Sequence, residues 1–197
     1  MDNPKTQLES SGSPILYCSN REQWRVWLAE NFTSATEIWF SFPLKASGLV
    51  GVSYNDAVEE ALCFGWIDSI IKSLDESYKI QRFTPRRPNS NYSQSNKERL
   101  RWLADHGLIH PSLAPEVDRV LEQPFEWPAD ILQAIQAEPA AWTHFQSCSQ
   151  SYQRIRVAYI EAARIGPDEF TKRLNHLIAR SKAGKKIPGY GGIDKYY

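Results

Sequence analysis

Cys63-Phe64-Gly65-Trp66-Ile67-Asp68-Ser69-Ile70-Ile71-Lys72-Ser73, then Leu74-Asp75-Glu76, then Ser77-Tyr78-Lys79-Ile80-Gln81-Arg82-Phe83, is the stretch that decides the fold. Two runs rich in β-branched and aromatic residues flank a short polar turn, which predicts a β-hairpin over residues 66–73 and 77–83. Side chains alternate across a strand. Trp66, Asp68, Ile70 and Lys72 therefore share one face, and Tyr78, Ile80 and Arg82 alternate with Lys79, Gln81 and Phe83. Upstream, residues 36–42 alternate Ile38, Phe40 and Phe42 against Trp39 and Ser41, and Pro43 stops the run. With the hairpin this makes an antiparallel sheet of about three strands, roughly the smallest that is independently stable.

Helices surround the sheet. Ser19 with Glu22 three residues on reads as a capping box, and Trp24, Trp27 and Leu28 give that helix an apolar stripe ending near Asn31. Ser53 caps a second helix with Asp56, and Gly65 stops it. Ala57, Val58, Ala61 and Leu62 face inward there, and Glu59 and Glu60 read as a solvated face. Ser93 caps a helix over residues 94–106, closed by Gly107. Helices are expected over 115–123, 128–137, 139–146, 150–165 and 167–182, several with Pro in the first turn. Ile155, Tyr159 and Ala162 form one stripe, and Phe170, Leu174, Leu177 and Ile178 another. The fold class is α+β: residues 1–14 a disordered leader, 15–110 an α+β domain, 111–184 a helical C-terminal part packed on it, and 185–197 a Gly/Tyr tail.

Composition narrows the function. The 42% hydrophobic and 12% aromatic content suits a globular core. No apolar run approaches the roughly 18 residues that span a bilayer, and the N-terminus lacks a signal-peptide core, so a cytoplasmic protein without membrane insertion is expected. Cys18, Cys63 and Cys148 are odd in number and widely spaced, which fits a reducing compartment, and Cys63, on an apolar helix end, reads as a buried thiol. Net charge is zero but blocked. Residues 79–101 hold 7 bases and 1 acid, residues 102–153 hold 7 acids and 1 base, and residues 154–186 hold 9 bases and 3 acids.

The first basic block interleaves arginines with aromatics. Arginine offers a planar fork of donors suited to carboxylates and phosphates. Arg82, Arg86 and Arg87 precede a helix start, where free N–H groups favour an anion, and Ser90, Asn91, Ser93 and Asn96 add short polar groups. Trp66, Phe83 and Tyr92 supply walls, and Asp68 stands nearby. Two readings stay open: a receptor for an anionic small molecule or an acidic partner group, and an internal clasp of Asp68 with Arg82 or Arg86. The +6 blocks also admit nucleic acid, with the aromatics stacking on bases. An enzyme on a small anionic substrate, with Asp68 or Tyr92 as acid or base, is a third class. No catalytic constellation is recognisable, no phosphate loop or dinucleotide fingerprint implies a cofactor, and Gly107 and Pro111 break the His106–His110 spacing that zinc would use.

These residues also resemble a known family. Residues 54–68 (Tyr-Asn-Asp-Ala-Val-Glu-Glu-Ala-Leu-Cys-Phe-Gly-Trp-Ile-Asp), with Gln81-Arg82-Phe83-Thr84-Pro85-Arg86, Ser90, Ser93 and Asn96-Lys97, are similar to the YdeI/OmpD-associated, or bacteriocin-protection, family over about residues 36–110. Tyr152, Arg154, Ala162 and Arg173 match its ending more loosely. Tyr92 stands where the family often has Trp, and Ser69 where Gly is common. The resemblance implies a small bacterial cytoplasmic protein linked to tolerance of bacteriocins or antimicrobial peptides, and no settled catalytic mechanism.

Overall fold

The computed structural model describes the backbone of residues 5–8 and the whole of residues 14–197. It divides into two compact units, Met1–Asn91 with Leu103–Asp118, and Tyr92–Trp102 with Arg119–Tyr197. The division differs from the expected break after residue 110, for a local reason. The His110 amide donates to the Cys63 carbonyl at 3.0 Å, which holds the 103–118 segment on the first unit. Gly65, at φ 72°, would bring a Cβ within 2.9 Å of Leu113. Only glycine both turns the chain there and lets that leucine approach.

The first unit is a mixed sheet with two helices, as the α+β assignment requires. Four strands form its body: β2 (Pro14–Tyr17), β3 (Ile38–Pro43), β4 (Trp66–Ser73) and β5 (Tyr78–Pro85). A further strand, β1 (Lys5–Leu8), pairs antiparallel with β2, giving the order β1-β2-β3-β5-β4. The sheet therefore exceeds the three strands expected, because the short β2 adds in parallel to β3 through Ile15↔Trp39 and Leu16↔Phe40. Four residues are too few for a clear alternation signal. Of the expected leader, residues 1–4 and 9–13 lie outside the described residues, whereas Lys5–Leu8 and Pro14 belong to strands.

Helix α1 (Arg21–Asn31) starts one residue later than Ser19 suggests. Asn20 is its cap and accepts from the Gln23 amide at 3.0 Å. Helix α2 (Tyr54–Cys63) is capped by Ser53, as expected. Trp24 packs tilted against Phe40 (4.8 Å) and edge-on to Phe83 (5.5 Å), and its indole donates to the Ala57 carbonyl at 3.0 Å. One fully buried tryptophan thus ties α1, α2, β3 and β5 together. At the hairpin turn the Asp75 carboxylate accepts from the amides of Ser77 and Tyr78 at 2.7 and 2.8 Å.

In the second unit, α5 (Ala129–Gln136), α6 (Pro139–Ser147), α7 (Gln150–Glu161) and α8 (Pro167–Lys182) pack around Ile131, Ile135, Phe145, Tyr152, Val157, Ile160 and Leu177. The expected α7 stripe is corrected. Ile155 is buried, but Tyr159 is 51% exposed and Ala162 is exposed; Tyr152, Val157 and Ile160 face the core instead. Helix α3 (Gln94–Asp105) begins in this unit, and α4 (Ala114–Leu121) ends in it. The Gly/Tyr tail is part of the packing. Ile193 and Tyr196 are buried against Ile155 and Trp102, and Arg156 donates to the carbonyls of Ile187 and Pro188 at 2.7 and 3.0 Å.

Candidate functional site

The alternation expected along β4 holds from Trp66 to Asp68 and then breaks. A β-bulge between Asp68 and Ile71 shifts the register, so Lys72 pairs with Ile80 and lies 4.4 Å over the Trp39 ring, opposite the Trp66–Asp68 face. An extra residue in one strand reverses every later side chain. This takes Lys72 off the face that Trp66 and Asp68 share.

Asp68 pairs with Phe83 and accepts from the Tyr54 hydroxyl (3.0 Å) and the Gln81 amide (2.6 Å). Arg82 lies across from Trp39 on the other face, and its Nε donates to Glu37 at 2.8 Å. The clasp between Asp68 and Arg82 is therefore not formed, since adjacent positions of β5 point to opposite sides. Arg86 turns onto its own loop and donates to the Ser90 hydroxyl (3.2 Å) and the Asn91 carbonyl (2.9 Å), while Arg87 is exposed. Trp66 and Phe83 are fully buried, with the Trp66 indole bonded to the Phe32 carbonyl at 3.2 Å. They belong to the core and are closed to a ligand.

Tyr92, Ser93 and Asn96 belong to the second unit. Ser93 caps α3 by accepting from the Asn96 amide at 3.3 Å. The Asn96 side chain accepts from the buried Arg99 at 3.1 Å. Arg82 and Arg86 are thus committed to different neighbourhoods, and Arg87 is exposed.

A second correction concerns Glu59 and Glu60. Both are buried, at 0% and 2% exposure, and Arg21 and Arg25 of α1 cover them. Arg21 donates to Glu59 at 2.6 Å, to Asp56 at 3.1 Å and to Glu60; Arg25 donates to Glu60 at 2.7 Å and to the Leu108 carbonyl at 2.8 Å. Burial by itself lowers the affinity of Arg21 for its proton. The hydrogen bonds and charges of Glu60 and Glu59 outweigh that and hold it above its ordinary range. This is a closed structural clamp.

The thiols of Cys18 and Cys63 are buried and pushed up to about 12 by desolvation, which leaves them unreactive. His110 lies between Phe32 and Phe64, and its Nδ1 meets the Ser112 hydroxyl at 2.8 Å. Among the described residues no cluster of His, Cys, Asp or Glu could hold a metal. Nor, among them, is any helix long and apolar enough to cross a membrane.

The group that could bind something is in the second unit, on α3 and α7. Gln94, Lys97, Glu98 and Arg101 recur at i, i+3, i+4 and i+7, one helix face. Glu98 is buried. Arg154 of α7 grips it with both forks, Nε to Oε1 at 2.6 Å and Nη2 to Oε2 at 2.8 Å. Arg101 adds a third bond at 3.0 Å and Gln94 a fourth at 2.7 Å. Burial would raise the Glu98 pKa, but the bonds from Arg154 and Gln94 and the charges of Arg154 and Arg101 hold it below the usual carboxylate range. The carboxylate is an anchor for cations.

Lys97, Arg101 and Arg154 line a pocket of about 600 Å³. The segment after α4 lines the same pocket with Glu122, Gln123, Phe125 and Glu126, and Lys97 reaches Gln123 at 3.3 Å. Sequence reasoning missed this site, although a signal existed: Glu98 is the lone acid of the first basic block. Its partner Arg154 is 56 residues away, beyond local pattern reading.

The other cations of the second basic block are mostly paired. Arg164 bonds Asp130 and Glu161, Arg173 bonds Glu169, and Lys182 reaches Glu138 at 2.9 Å.

Two family models match the chain. The domain of unknown function DUF8412 covers residues 16–115, and the family described as bacteriocin-protection, YdeI or OmpD-associated covers residues 124–184. The YdeI/OmpD-associated resemblance therefore holds, but over the C-terminal helices. The 54–96 motif falls within the other family. No curated protein and no solved structure matches the chain significantly. The pocket takes Gln94, Lys97 and Arg101 from the first matched stretch, and Phe125, Glu126 and Arg154 from the second.

Proposed function

Because this chain belongs to the DUF8412 family and carries a YdeI/OmpD-associated segment, we propose that it is a non-enzymatic binding protein for a small molecule or partner group bearing an anionic moiety. The supporting observation is the basic wall of the α3–α7 pocket, where a buried Glu98 fixes Arg101 and Arg154 beside Lys97. Three cations against one carboxylate leave that wall with positive charge. Fixed guanidinium groups lose little entropy when an anion arrives. The site holds no nucleophile paired with a base, which favours binding over turnover.

The segment's family description supports a role in bacteriocin protection, and the buried, unpaired thiols suit a cytoplasmic setting. A sensitive bacterial strain expressing the chain should survive bacteriocin better than one expressing Lys97→Ala. At the molecular level, titration calorimetry with inorganic phosphate and small carboxylates should give dissociation constants at or below about 1 mM, weakened roughly tenfold by Lys97→Ala at unchanged thermal stability. If no anion of that panel binds by about 10 mM, the reading fails.

A further inference from the structure

The pocket has a second wall of opposite sign. Glu122 and Glu126 line it from the segment after α4, whereas Lys97 and Arg101 come from α3 and Arg154 from α7. Both acids are exposed, and neither forms an ion pair with any described residue. Acids and bases that share a pocket normally close on each other where the chain permits. Here the basic wall is tied instead to Glu98 beneath it, and the one bond across the gap, from Lys97, goes to the neutral amide of Gln123. Arg101 uses only Nη1, and Arg154 uses Nε and Nη2. Arg101 Nε and Nη2 and Arg154 Nη1 therefore remain for a guest.

Formal charge decides which guest. The three basic side chains are balanced by Glu98, Glu122 and Glu126, so the whole pocket is neutral. A purely anionic ligand long enough to cross about 600 Å³ would push its far end toward two carboxylates. Like charge placed across an interface is unfavourable, and is a common means of rejecting the wrong partner. A molecule with an acid at one end and an ammonium at the other satisfies both walls. Phe125, whose ring meets Trp127 edge-on at 4.6 Å, offers an apolar surface for the part between the charges.

We propose that the ligand class of this pocket is zwitterionic: an amino-acid-like or short-peptide molecule, its carboxylate on Lys97, Arg101 and Arg154 and its ammonium on Glu122 and Glu126. This rests on the anion-binding reading above and narrows it. The test uses one dipeptide, alanyl-phenylalanine, in three forms: unblocked, N-acetylated and C-amidated. Calorimetry on the full chain should show the unblocked form binding at least about tenfold more tightly than either blocked form. In the Glu122→Gln, Glu126→Gln double variant, both substitutions lying at exposed positions, the advantage over the N-acetylated form should vanish while phosphate binding is kept or strengthened.

If the N-acetylated dipeptide binds wild-type protein as tightly as the unblocked one, the zwitterion assignment is wrong and the anion reading survives. Failure of the unblocked dipeptide to bind by about 10 mM, with phosphate bound, also overturns it. Silence toward phosphate and every small carboxylate sinks the underlying reading itself.

Discussion

Two buried carboxylate clusters, one in each unit, use the same residue types to opposite ends. In the first, Glu59, Glu60 and Asp56 outnumber their partners Arg21 and Arg25, and the second arm of Arg25 is taken by the Leu108 carbonyl. In the second, Glu98 is outnumbered by Arg101 and Arg154, and donors are left over beside a pocket. Where acids are in excess, guanidinium groups are consumed in closing the structure. Where bases are in excess, one buried acid holds them in place with capacity to spare. The count of charges on each side distinguishes the clamp from the proposed receptor, and the mere presence of arginine beside glutamate does not.

The largest effect expected from breaking this contrast is at the clamp. Arg21→Ala strands the buried Glu59 and leaves the buried Glu60 to Arg25 alone, and denaturant unfolding should report a loss of about 3–5 kcal/mol. Arg21→Lys should recover little, because an ammonium cannot reproduce a fork that reaches three acids. A loss under about 1 kcal/mol would mean that the clamp is weak and the contrast drawn above is false.

Glu98→Gln should cost less, about 1–3 kcal/mol, since Arg101 is part exposed and can turn to water. The same change removes a negative charge from beneath the basic wall and should tighten phosphate binding, which no purely structural role predicts. It also fixes a pH dependence. The folded-state pKa of Glu98 lies below its ordinary 4.5, so its contribution is complete above that value and fades as pH falls through the folded pKa. The stability gap between wild type and Glu98→Gln should be flat above about pH 5.5 and narrow below about pH 4.5. A gap that widens on acidification would contradict the assigned direction.

The smallest effect is expected at Arg82, the residue that first suggested a receptor. Its bond to Glu37 is between partly exposed groups, so Arg82→Ala should cost about 0.2–1 kcal/mol and leave phosphate binding unchanged. A clear loss of affinity would return the hairpin arginines to the site.

Much of the architecture was legible because its signals are local. The hairpin at residues 66–85, the Ser53 and Ser93 caps, the Gly65 stop and the Pro-led helices α6 and α8 all lie near where propensity and periodicity put them. The misreadings of charged residues share one cause, separation along the chain. Glu59 and Glu60 look solvated until α1, about 38 residues upstream, brings Arg21 over them. Arg82 seems available until Glu37, 45 residues away, takes it. One further misreading is local: the bulge after Asp68 has no residue signature in Ser69-Ile70, yet it moves Lys72 off the Trp66–Asp68 face.

By itself, then, the amino-acid order determined the α+β class, most element positions and the presence of an unusual basic segment, because helix caps, turns and alternation are written within a few residues. Only the tertiary structure decided which charges are spent and which remain. An ion pair's worth depends on burial and on every partner within about 4 Å, and those partners come from distant parts of the chain. That is why the basic wall was found around Glu98 on α3 and α7, and not at the hairpin where the arginines are most conspicuous.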